Sequence, residues 1–334
     1  MRSSEITILC AKDMRTTSTA VARGLAPKAS KPGIAFLGLG IMGGGMARQL
    51  LAKGFPLTVF NRTSAKSKPF ATEGARVAHS ARAAAENADV IISMVADDHA
   101  SRSLWLGENG ALAAAKPGTI CIESSTVSVG WIHELATAAH QQKCELLDAP
   151  VTGSKAQAAS GQLNFIVGGS SAALERARPI LAAMGKTIVH LGPTGSGALL
   201  KLINNFVCGV QVAALAEAMA LIEGSGLDRA RAQEIIAQGA PGGPLVRAVW
   251  GRMAAPDYSP NFPLKLMAKD LTYAIGEAKK ISVELTTAAA ALTEFQKAID
   301  DGHGDQDIAA VVEPFRTFLK VKNPPRRKSA GVSA

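Results

Sequence analysis

The sequence predicts two domains, an α/β domain built on a parallel sheet and then an all-helical domain, joined by a long interdomain helix. Three observations predict this order. A short apolar strand after Gly33 runs into a glycine-rich turn and a helix, apolar strands and helical patterns then alternate to about residue 192, and beyond residue 196 only helical patterns follow. We expect the first domain over residues 33–195 and the second over residues 196–319.

The composition supports two folded domains and no polyanionic partner. The 334 residues are 47% hydrophobic and 19% charged, which suits two full cores and excludes a disordered chain. The net charge of +9 would suggest nucleic acid or a membrane surface, but six basic and two acidic residues give residues 1–33 a charge of +4, and five basic residues give residues 320–334 a charge of +5. The remainder is neutral. No window reaches the ~18 consecutive apolar residues of a membrane span, so we expect no nucleic acid and no membrane.

The two basic segments lie outside the predicted domains. Residues 1–32 are rich in Ser, Thr, Ala and basic residues and are interpreted as a disordered or leader extension, with a transit peptide or a mis-assigned start codon as alternatives. Residues 320–334 are interpreted as a disordered basic tail, because Asn323-Pro324-Pro325 cannot continue a helix. We expect a cytoplasmic protein, with organelle import through residues 1–32 as the alternative.

The cysteines and histidines predict neither disulfides nor a metal site. Cys10, Cys121, Cys144 and Cys208 lie far apart without a C-x-x-C pair, as free thiols do in a reducing compartment. The six histidines lack the spacing of zinc ligands. We therefore expect free thiols and no metal.

The first motif is the glycine-rich turn after the strand Ile34–Leu37. Gly38-Leu39-Gly40-Ile41-Met42-Gly43 has the G-x-G-x-x-G spacing, and a helical pattern from Gly44 to Lys53 follows it. The first glycine allows a tight turn, the second lets a pyrophosphate approach the backbone, and the third lets helix and strand pack closely, with the helix N-terminus facing the anion. This context predicts a Rossmann-type dinucleotide-binding site, with an ordinary glycine-rich turn as the alternative.

The end of the second strand indicates which dinucleotide is bound. The strand Pro56–Phe60 ends at Asn61-Arg62-Thr63, where NAD-specific folds carry Asp or Glu for the ribose hydroxyls. Asn61 brings no charge repulsion, Arg62 can pair with a 2′-phosphate, and Thr63 adds a hydroxyl. We predict NADP, with NADPH preferred over NADH; a surface turn with a solvated arginine is the alternative.

Further cofactor contacts are expected where the next strands end. Val90–Val95, which includes Met94, and Thr119–Glu123 read as buried parallel strands, the second followed by Ser124-Ser125-Thr126. Ligands of open α/β sheets bind beyond the carboxyl ends of the strands. Later, Val151-Thr152-Gly153-Ser154-Lys155-Ala156-Gln157 combines backbone N–H groups with hydroxyls and a cation, which predicts a carboxylate cradle.

The helical half supplies a candidate proton donor. A proline-free segment from about Ala198 to Glu223 is apolar on most faces and predicts a buried central helix of about 40 Å. Lys201 and Asn205 lie one turn apart on one face of it. Partial burial would lower the pKa of Lys201 and suit it to protonate a carbonyl oxygen, although a snorkelling lysine explains the position equally well. Lys269-Asp270, in a predicted helix from Leu264 to Lys280, read alone as an ordinary solvated pair.

These motifs occur in the order of one family. From about Gly33 to Phe318 the chain resembles the β-hydroxyacid dehydrogenases, related to 3-hydroxyisobutyrate dehydrogenase. The resemblance rests on Gly38-x-Gly40-x-Met42-Gly43, Ser125-Thr126, Asp148-Ala149-Pro150-Val151-Thr152-Gly153-Ser154, Gly195-x-Gly197-x-x-x-Lys201-x-x-x-Asn205 and Lys269-Asp270. The glyoxylate/succinic semialdehyde reductase branch is resembled through Asn61-Arg62-Thr63, Gly153-Ser154-Lys155, Gly161-Gln162-Leu163 and Phe262-Pro263-Leu264-Lys265.

The resemblance implies roles for the matching residues. It implies Lys201 as the general acid/base with Asn205 in support, and Thr126 and Lys269 at the cofactor. Around the substrate it implies Ser125, Thr152, Gly153, Phe262 and Asp270, to which the predicted cradle adds Ser154. Two features depart from the family: Thr152 stands where members usually have serine, and the N-terminal extension is long.

Together these observations predict an NADPH-dependent reductase that acts on a small carboxylate-bearing aldehyde or keto acid, such as glyoxylate, succinic semialdehyde or tartronate semialdehyde. An oxidative 3-hydroxyisobutyrate-type dehydrogenase is the first alternative, and a non-catalytic NADP-binding scaffold is the alternative from another class. An imine reductase would lack a lysine at position 201. The charge-poor helical half predicts a homodimer or homotetramer.

Overall fold

The computed structural model describes residues 31–322, so the predicted leader and most of the predicted basic tail lie outside the described residues. Nine strands occur in the described part. In chain order they are β1 (Ile34–Leu37), β2 (Leu57–Phe60), β3 (Arg76–Val77), β4 (Val90–Ser93), β5 (Ile120–Glu123), β6 (Glu145–Asp148), β7 (Val151–Thr152), β8 (Leu163–Gly168) and β9 (Gly185–Gly192).

The α-helices of the described residues cover the sheet and then form the second half. In chain order they are α1 (Gly43–Ala52), α2 (Lys68–Thr72), α3 (Ala81–Ala85), α4 (Asp98–Trp105), α5 (Val129–Gln141), α6 (Lys155–Ser160), α7 (Ser171–Met184), α8 (Ser196–Ser225), α9 (Arg229–Gln238), α10 (Pro244–Ala254), α11 (Leu264–Lys280), α12 (Thr286–Ala298) and α13 (Glu313–Lys322).

All nine strands form one sheet, and six of them have the order of a Rossmann fold. The order is β3-β2-β1-β4-β5-β6 with every pair parallel, after which β8 pairs antiparallel with β6, and β7 and β9 pair with β8. In the register, Leu37 lies opposite Ser93, Ser93 opposite Glu123, and Glu123 opposite Asp148. The carboxyl ends of the central strands therefore meet at one edge, where a ligand is expected.

The central strands are buried on both faces, which explains their unbroken apolar sequences. Phe36 belongs to a core with α1 and α7, whereas its neighbour Leu37 belongs to a core with α3 and α5 on the opposite face. Side chains alternate across a strand, so one short apolar run serves two cores. The predicted buried parallel strands at residues 90–95 and 119–123 are confirmed, each one or two residues shorter than predicted.

The helical half packs around α8. Val212, Met219, Trp250, Leu271 and Phe295 belong to one core formed by α8, α10, α11 and α12. Gly209, the internal glycine of α8, allows close packing: a Cβ there would lie 2.9 Å from the sulfur of Met267 and 3.0 Å from Leu271. The helix predicted from Leu264 to Lys280 is observed with those bounds.

The predicted burial of the long helix needs correction. It begins at Ser196 and ends at Ser225, slightly longer than predicted, but it is not buried all round. Leu199, Ile203 and Val207, spaced four residues apart on one face, are 41%, 46% and 44% exposed. The helix is also long and apolar enough by composition to cross a membrane, although half of its most apolar window is buried within the molecule, as in a core helix.

Candidate active site

The glycine-rich turn has the geometry of a dinucleotide cradle. Gly38 has a φ of +97°, and a Cβ there would collide with the carbonyl oxygen of Met94. A Cβ on Gly43 would collide with the carbonyl of Gly38, so this glycine lets α1 approach the turn. Gly40 is exposed, and no atom lies within 4 Å of the position of its Cβ. These surroundings fit a pyrophosphate approaching the backbone at Gly40.

Asn61 ties the end of β2 to this turn. Its Oδ1 accepts a hydrogen bond of 2.8 Å from the N–H of Leu39, and its Nδ2 donates to the carbonyl of Thr63 at 3.0 Å. Arg62 and Thr63 are exposed beside it, and the Arg62 guanidinium makes no hydrogen bond or ion pair with the described residues. Asn61 therefore shapes the cradle, and Arg62 remains available to an anion.

The turns that follow β4 and β5 are fastened to each other. Residues 94–98 and 124–128 are called the β4–β5 platform below. The N–H of Val95 donates to Ser125 Oγ at 2.8 Å, and the Asp98 carboxylate accepts from the N–H of Ser128 at 2.9 Å and from its hydroxyl at 2.6 Å. Ser125 is only 1% exposed, so its hydroxyl oxygen serves the platform, and its contact with substrate stays a prediction.

Helix α11 clamps the platform from the helical half. Lys269 Nζ donates to the carbonyls of Ala96 at 2.7 Å and Thr126 at 2.6 Å, and lies 3.0 Å from Asp270 Oδ1. One turn later, the Tyr273 hydroxyl accepts from the N–H of Asp98 at 3.3 Å. Two protons of the ammonium are thus donated to backbone carbonyls, and its third partner is the Asp270 carboxylate, with which it forms an ion pair. The interpretation of Lys269-Asp270 as a solvated pair is wrong, because Asp270 is 1% exposed and its carboxylate faces the fold.

The remaining predicted polar residues gather around Asp270. Its Oδ2 accepts from Asn205 Nδ2 at 2.6 Å, and Asn205 Oδ1 accepts in turn from Asn204 Nδ2 at 3.0 Å. Asn205 is 3% exposed. The structure thus joins Asn205, Asp270, Lys269 and Thr126 into one network that links α8, α11 and the platform.

Lys201 lies beside this network, but its ammonium is not bonded to it. Its side chain is half-buried, and no hydrogen bond or ion pair joins it to the described residues. Burial lowers the pKa of Lys201 below the ordinary lysine value, the Asp270 carboxylate opposes this shift, and the charge of Lys269 adds to it. A desolvated ammonium without a fixed acceptor is prepared to release a proton to a ligand.

The predicted carboxylate cradle is only partly a loop. Val151–Thr152 is strand β7, paired with β8, and Thr152 Oγ1 accepts from Asn164 Nδ2 at 3.2 Å. Gly153 has a φ of +127°, and Ser154 caps α6 by bonding to the Gln157 side chain. Because the Ser154 hydroxyl is bonded within the fold, Thr152 is the hydroxyl of this segment whose proton remains for a ligand.

Phe262 is partly buried at the edge of the helical core. Its ring packs against the helical core, and its N–H donates to Asp307 Oδ2 at 3.1 Å. Asp307 is fully buried and also forms an ion pair of 2.9 Å with Arg252. Its contact with substrate stays a prediction.

Two buried carboxylates were given no role from the sequence. Asp148, at the end of β6, accepts 2.8 Å hydrogen bonds from the N–H groups of Gly195 and Ala198 and so caps the start of α8. Burial raises the pKa of Asp148, and these backbone hydrogen bonds oppose the rise. Glu123, at the end of β5, accepts from the N–H of Ser125 at 2.8 Å. Asp148 bonds to residues that are far away in the chain, and the bond between Glu123 and Ser125 depends on burial. Neither can be predicted from the local spacing of residues.

Among the described residues, Cys121, Cys144 and Cys208 are free, as predicted, and no group of His, Cys, Asp and Glu could hold a metal ion.

Comparison with known proteins covers both halves of the chain. The family model of the NAD binding domain of 6-phosphogluconate dehydrogenase matches residues 33–192, and that of the NAD-binding region of NADP-dependent 3-hydroxyisobutyrate dehydrogenase matches residues 195–315. NAD-dependent L-serine dehydrogenase of Pseudomonas aeruginosa is 37% identical over 289 residues, 84% of this chain and 97% of that protein. Chloroplastic glyoxylate/succinic semialdehyde reductase 2 of Arabidopsis thaliana is 35% identical over 283 residues, 85% of this chain and 79% of that protein.

A solved structure agrees with these relatives. The 3-hydroxyisobutyrate dehydrogenase of Mycobacterium tuberculosis, determined with L-serine, has a TM-score of 0.77 and 33% identity, covering 86% of this chain and 99% of that one. The fold and the site define an NAD(P)-dependent oxidoreductase. The chain belongs to the β-hydroxyacid dehydrogenase family, whose named members here are dehydrogenases and reductases of hydroxy acids and semialdehydes.

Proposed function

We propose that this protein is an NADPH-dependent reductase that converts a small carboxylate-bearing aldehyde or keto acid, of the glyoxylate, succinic semialdehyde or tartronate semialdehyde type, into the hydroxy acid. The observation that carries the proposal is Lys201, a half-buried ammonium with a lowered pKa and no acceptor among the described residues. A non-catalytic scaffold would have no use for such a group, because an unpaired desolvated charge costs stability.

Lys201 supplies the proton of the reaction. When bound, the reduced nicotinamide supplies hydride to the carbonyl carbon. Lys201 Nζ donates its proton to the carbonyl oxygen as negative charge develops there, and the neutral amine then regains a proton from solvent. The network of Asn205 and Asp270 fixes the helix face that carries Lys201 and limits how far its pKa falls. In the oxidative direction the neutral amine accepts the hydroxyl proton.

We propose that Thr152 determines selectivity for the substrate and that Arg62 determines selectivity for the cofactor. The Thr152 hydroxyl, held by Asn164, is proposed to donate to the substrate carboxylate, and its methyl group narrows the space that serine would leave. Arg62 is exposed at the end of β2 and is proposed to pair with the 2′-phosphate of NADPH. Replacement of Arg62 by Glu should then reduce the ratio of kcat/KM for NADPH over NADH by at least tenfold, and a wild-type ratio below one would contradict this role.

Oxidation of a 3-hydroxy acid is the second candidate. Both the 37% identity to an L-serine dehydrogenase and the lowered pKa of Lys201, which favours its neutral form, support it. One panel of assays distinguishes the direction of the reaction and the candidate substrates. NADPH and NADH consumption is measured with glyoxylate, succinic semialdehyde, tartronate semialdehyde and methylmalonate semialdehyde, and the reverse reaction with 3-hydroxyisobutyrate and L-serine.

The reductase proposal predicts the highest kcat/KM for NADPH with one of the first three aldehydes. A higher value for 3-hydroxyisobutyrate or L-serine with NAD⁺ would overturn it in favour of the oxidative enzyme. NADPH binding without turnover of any compound would favour the scaffold.

A further inference from the structure

A buried carboxylate that the proposed reaction does not use lies directly beneath the β4–β5 platform. Glu123 is fully buried at the carboxyl end of β5 and forms no ion pair with the described residues. Its burial is compensated by donors alone. Oε1 accepts from the N–H of Ser125 at 2.8 Å, and Oε2 accepts from Trp105 Nε1 at 2.9 Å and from the Ser101 hydroxyl. A carboxylate has enough lone pairs to serve all three.

The donors to Glu123 are themselves fixed by neighbouring elements. Ser101 Oγ accepts from Trp131 Nε1 at 2.8 Å, and Trp105 Nε1 is shared with Ser93 Oγ at 3.0 Å. The network therefore spans β4, α4, β5 and α5 and presents one acceptor, Oε1, to the platform. Because every other member is buried and bonded, the position of Oε1 is determined by four packed elements.

The path from Glu123 leads to the glycine-rich turn. Glu123 Oε1 accepts a hydrogen bond from the N–H of Ser125, and Ser125 Oγ accepts one from the N–H of Val95. Val95 and Met94 lie directly against Gly38, since a Cβ on Gly38 would collide with the Met94 carbonyl and lie 2.8 Å from Val95. A displacement of Ser125 would thus move the wall of the cradle on the side opposite Asn61.

We propose that Glu123 is a positioning residue that holds Ser125, and through Ser125 holds Val95, so that the β4–β5 platform forms a fixed wall of the dinucleotide site. What it provides is an acceptor for the Ser125 N–H rather than a negative charge. Glutamine can provide the same acceptor: its amide would accept from Ser125 and donate to Ser101 Oγ, and Trp105 would keep Ser93. Methionine has a similar shape and provides no acceptor.

The test compares Glu123→Gln, Glu123→Met, Ser125→Ala and the double variant Glu123→Met/Ser125→Ala in the full chain. The first readout is the Kd for NADPH from fluorescence titration at 25 °C, which needs no turnover. We expect Glu123→Met and Ser125→Ala each to raise the Kd about tenfold and Glu123→Gln to stay within threefold of wild type. The double variant should bind NADPH no more weakly than either single variant, because the two contacts act in series on the position of Val95. Equal loss in the glutamine and methionine variants, or multiplicative losses in the double variant, would overturn the proposal.

Thr119→Val is the matched control, because it removes a buried hydrogen bond to the Ala88 carbonyl just before β5, at the end of the strand opposite Glu123. It should lower Tm and leave the Kd for NADPH unchanged. If Glu123→Met does not fold, Ser125→Ala is the deciding variant. In it the N–H of residue 125 still donates to Glu123, and only the Val95 N–H loses its acceptor. A wild-type Kd for NADPH would then overturn the proposal.

The inference rests on the proposed function only for its second readout. With the aldehyde that the panel identifies, kcat should fall at least tenfold in Glu123→Met while KM for the aldehyde changes less than threefold, since misplacement of a reacting centre reduces turnover. A wild-type protein that turns over no aldehyde would refute the proposed function and leave the Kd comparison intact. A kcat unchanged in both single variants would refute the positioning role.

Discussion

Near its start, each of the helices α8 and α11 places a half-buried lysine beside the same network, but only one of the two lysines is bonded to it. Lys269 on α11 has three acceptors, the carbonyls of Ala96 and Thr126 and the Asp270 carboxylate. Lys201 on α8 has none among the described residues, and burial lowers its pKa. Two cations near one carboxylate thus differ in whether their protons are already bonded within the fold.

The two lysines therefore have different roles: Lys269 stabilises the fold, and Lys201 is available for the reaction. The Lys269 ammonium donates to two carbonyls of the platform and so joins the two halves of the molecule, and loss of its proton would weaken those contacts. An ammonium that the fold desolvates without pairing is destabilising in the resting protein and available to a substrate, which is the usual compromise at active sites. The role of Lys269 at the cofactor, implied by the family, stays a prediction; the structure adds that it fixes the platform.

The largest expected effect is on turnover at Lys201. Lys201→Met should lower kcat for aldehyde reduction by about 10²- to 10⁴-fold, the usual contribution of a general acid. The Kd for NADPH should change less than threefold, because no hydrogen bond or ion pair among the described residues joins Lys201 to a predicted cofactor residue. Steady-state kinetics and fluorescence titration measure both, with Lys280→Met on the exposed end of α11 as the control. Turnover within threefold of wild type would place the acid elsewhere.

The second prediction is a difference in the sign of the stability change. Lys269→Met leaves Asp270 buried without its cation and should lower the free energy of unfolding by roughly 3 kcal/mol. Lys201→Met should leave Tm equal or higher, because a lowered lysine pKa means that folding disfavours the charged form. Thermal unfolding of both variants at pH 7 checks this. A loss of stability at Lys201 as large as that at Lys269 would remove the distinction between the two sites.

The surface of α8 beside Lys201 is apolar and exposed. Leu199, Ile203 and Val207 leave an apolar stripe on α8 exposed in the single chain, and we propose that a second copy covers it. Ile203→Asp should then shift the mass measured by light scattering from an oligomer to a monomer, while Ile281→Asp, also exposed, should not. A wild-type protein that is monomeric at micromolar concentration would contradict the proposal.

The smallest expected effect is a shift in the pH profile. Reduction needs the Lys201 ammonium, so its rate is full below the pKa of Lys201 and is lost as the pH rises through it. The Asp270 carboxylate raises this pKa. Asp270→Asn should therefore move the alkaline fall in kcat to lower pH, whereas Glu277→Gln on the same helix, whose carboxylate pairs with Lys280, should leave it in place. A shift to higher pH would contradict the assigned interaction.

Much of the fold follows from local sequence patterns. The apolar runs at β1, β4 and β5, the glycine spacing at residues 38–43 and the helical patterns of α8 and α11 each depend on neighbours within a few residues, and the structure has these elements within two residues of the predicted bounds. The burial of α8 was overestimated, because apolar composition indicates that a face can be buried without indicating what covers it.

The site was predictable where a residue type is locally unusual. A lysine in an apolar helix is unusual and indicates Lys201, and the spacing of the three glycines Gly38, Gly40 and Gly43 predicts the cradle. The partners of Lys269 and Asp148 could not be predicted, because Ala96, Thr126 and Gly195 are tens of residues or more away in the chain and act through backbone atoms that every residue has. Likewise, the sequence did not indicate that the Ser125 hydroxyl accepts from Val95, and the substrate contact that the family resemblance implies for Ser125 stays a prediction.

The most direct test of the account is the single-turnover rate of NADPH oxidation by aldehyde, measured from pH 6 to pH 10 for the wild type and for Lys201→Met. The account predicts that the wild-type rate falls with one ionisation below the pH at which an ordinary lysine titrates, and that the variant is slow and independent of pH. A variant that keeps the falling profile of the wild type would contradict the assignment of Lys201 as the proton donor.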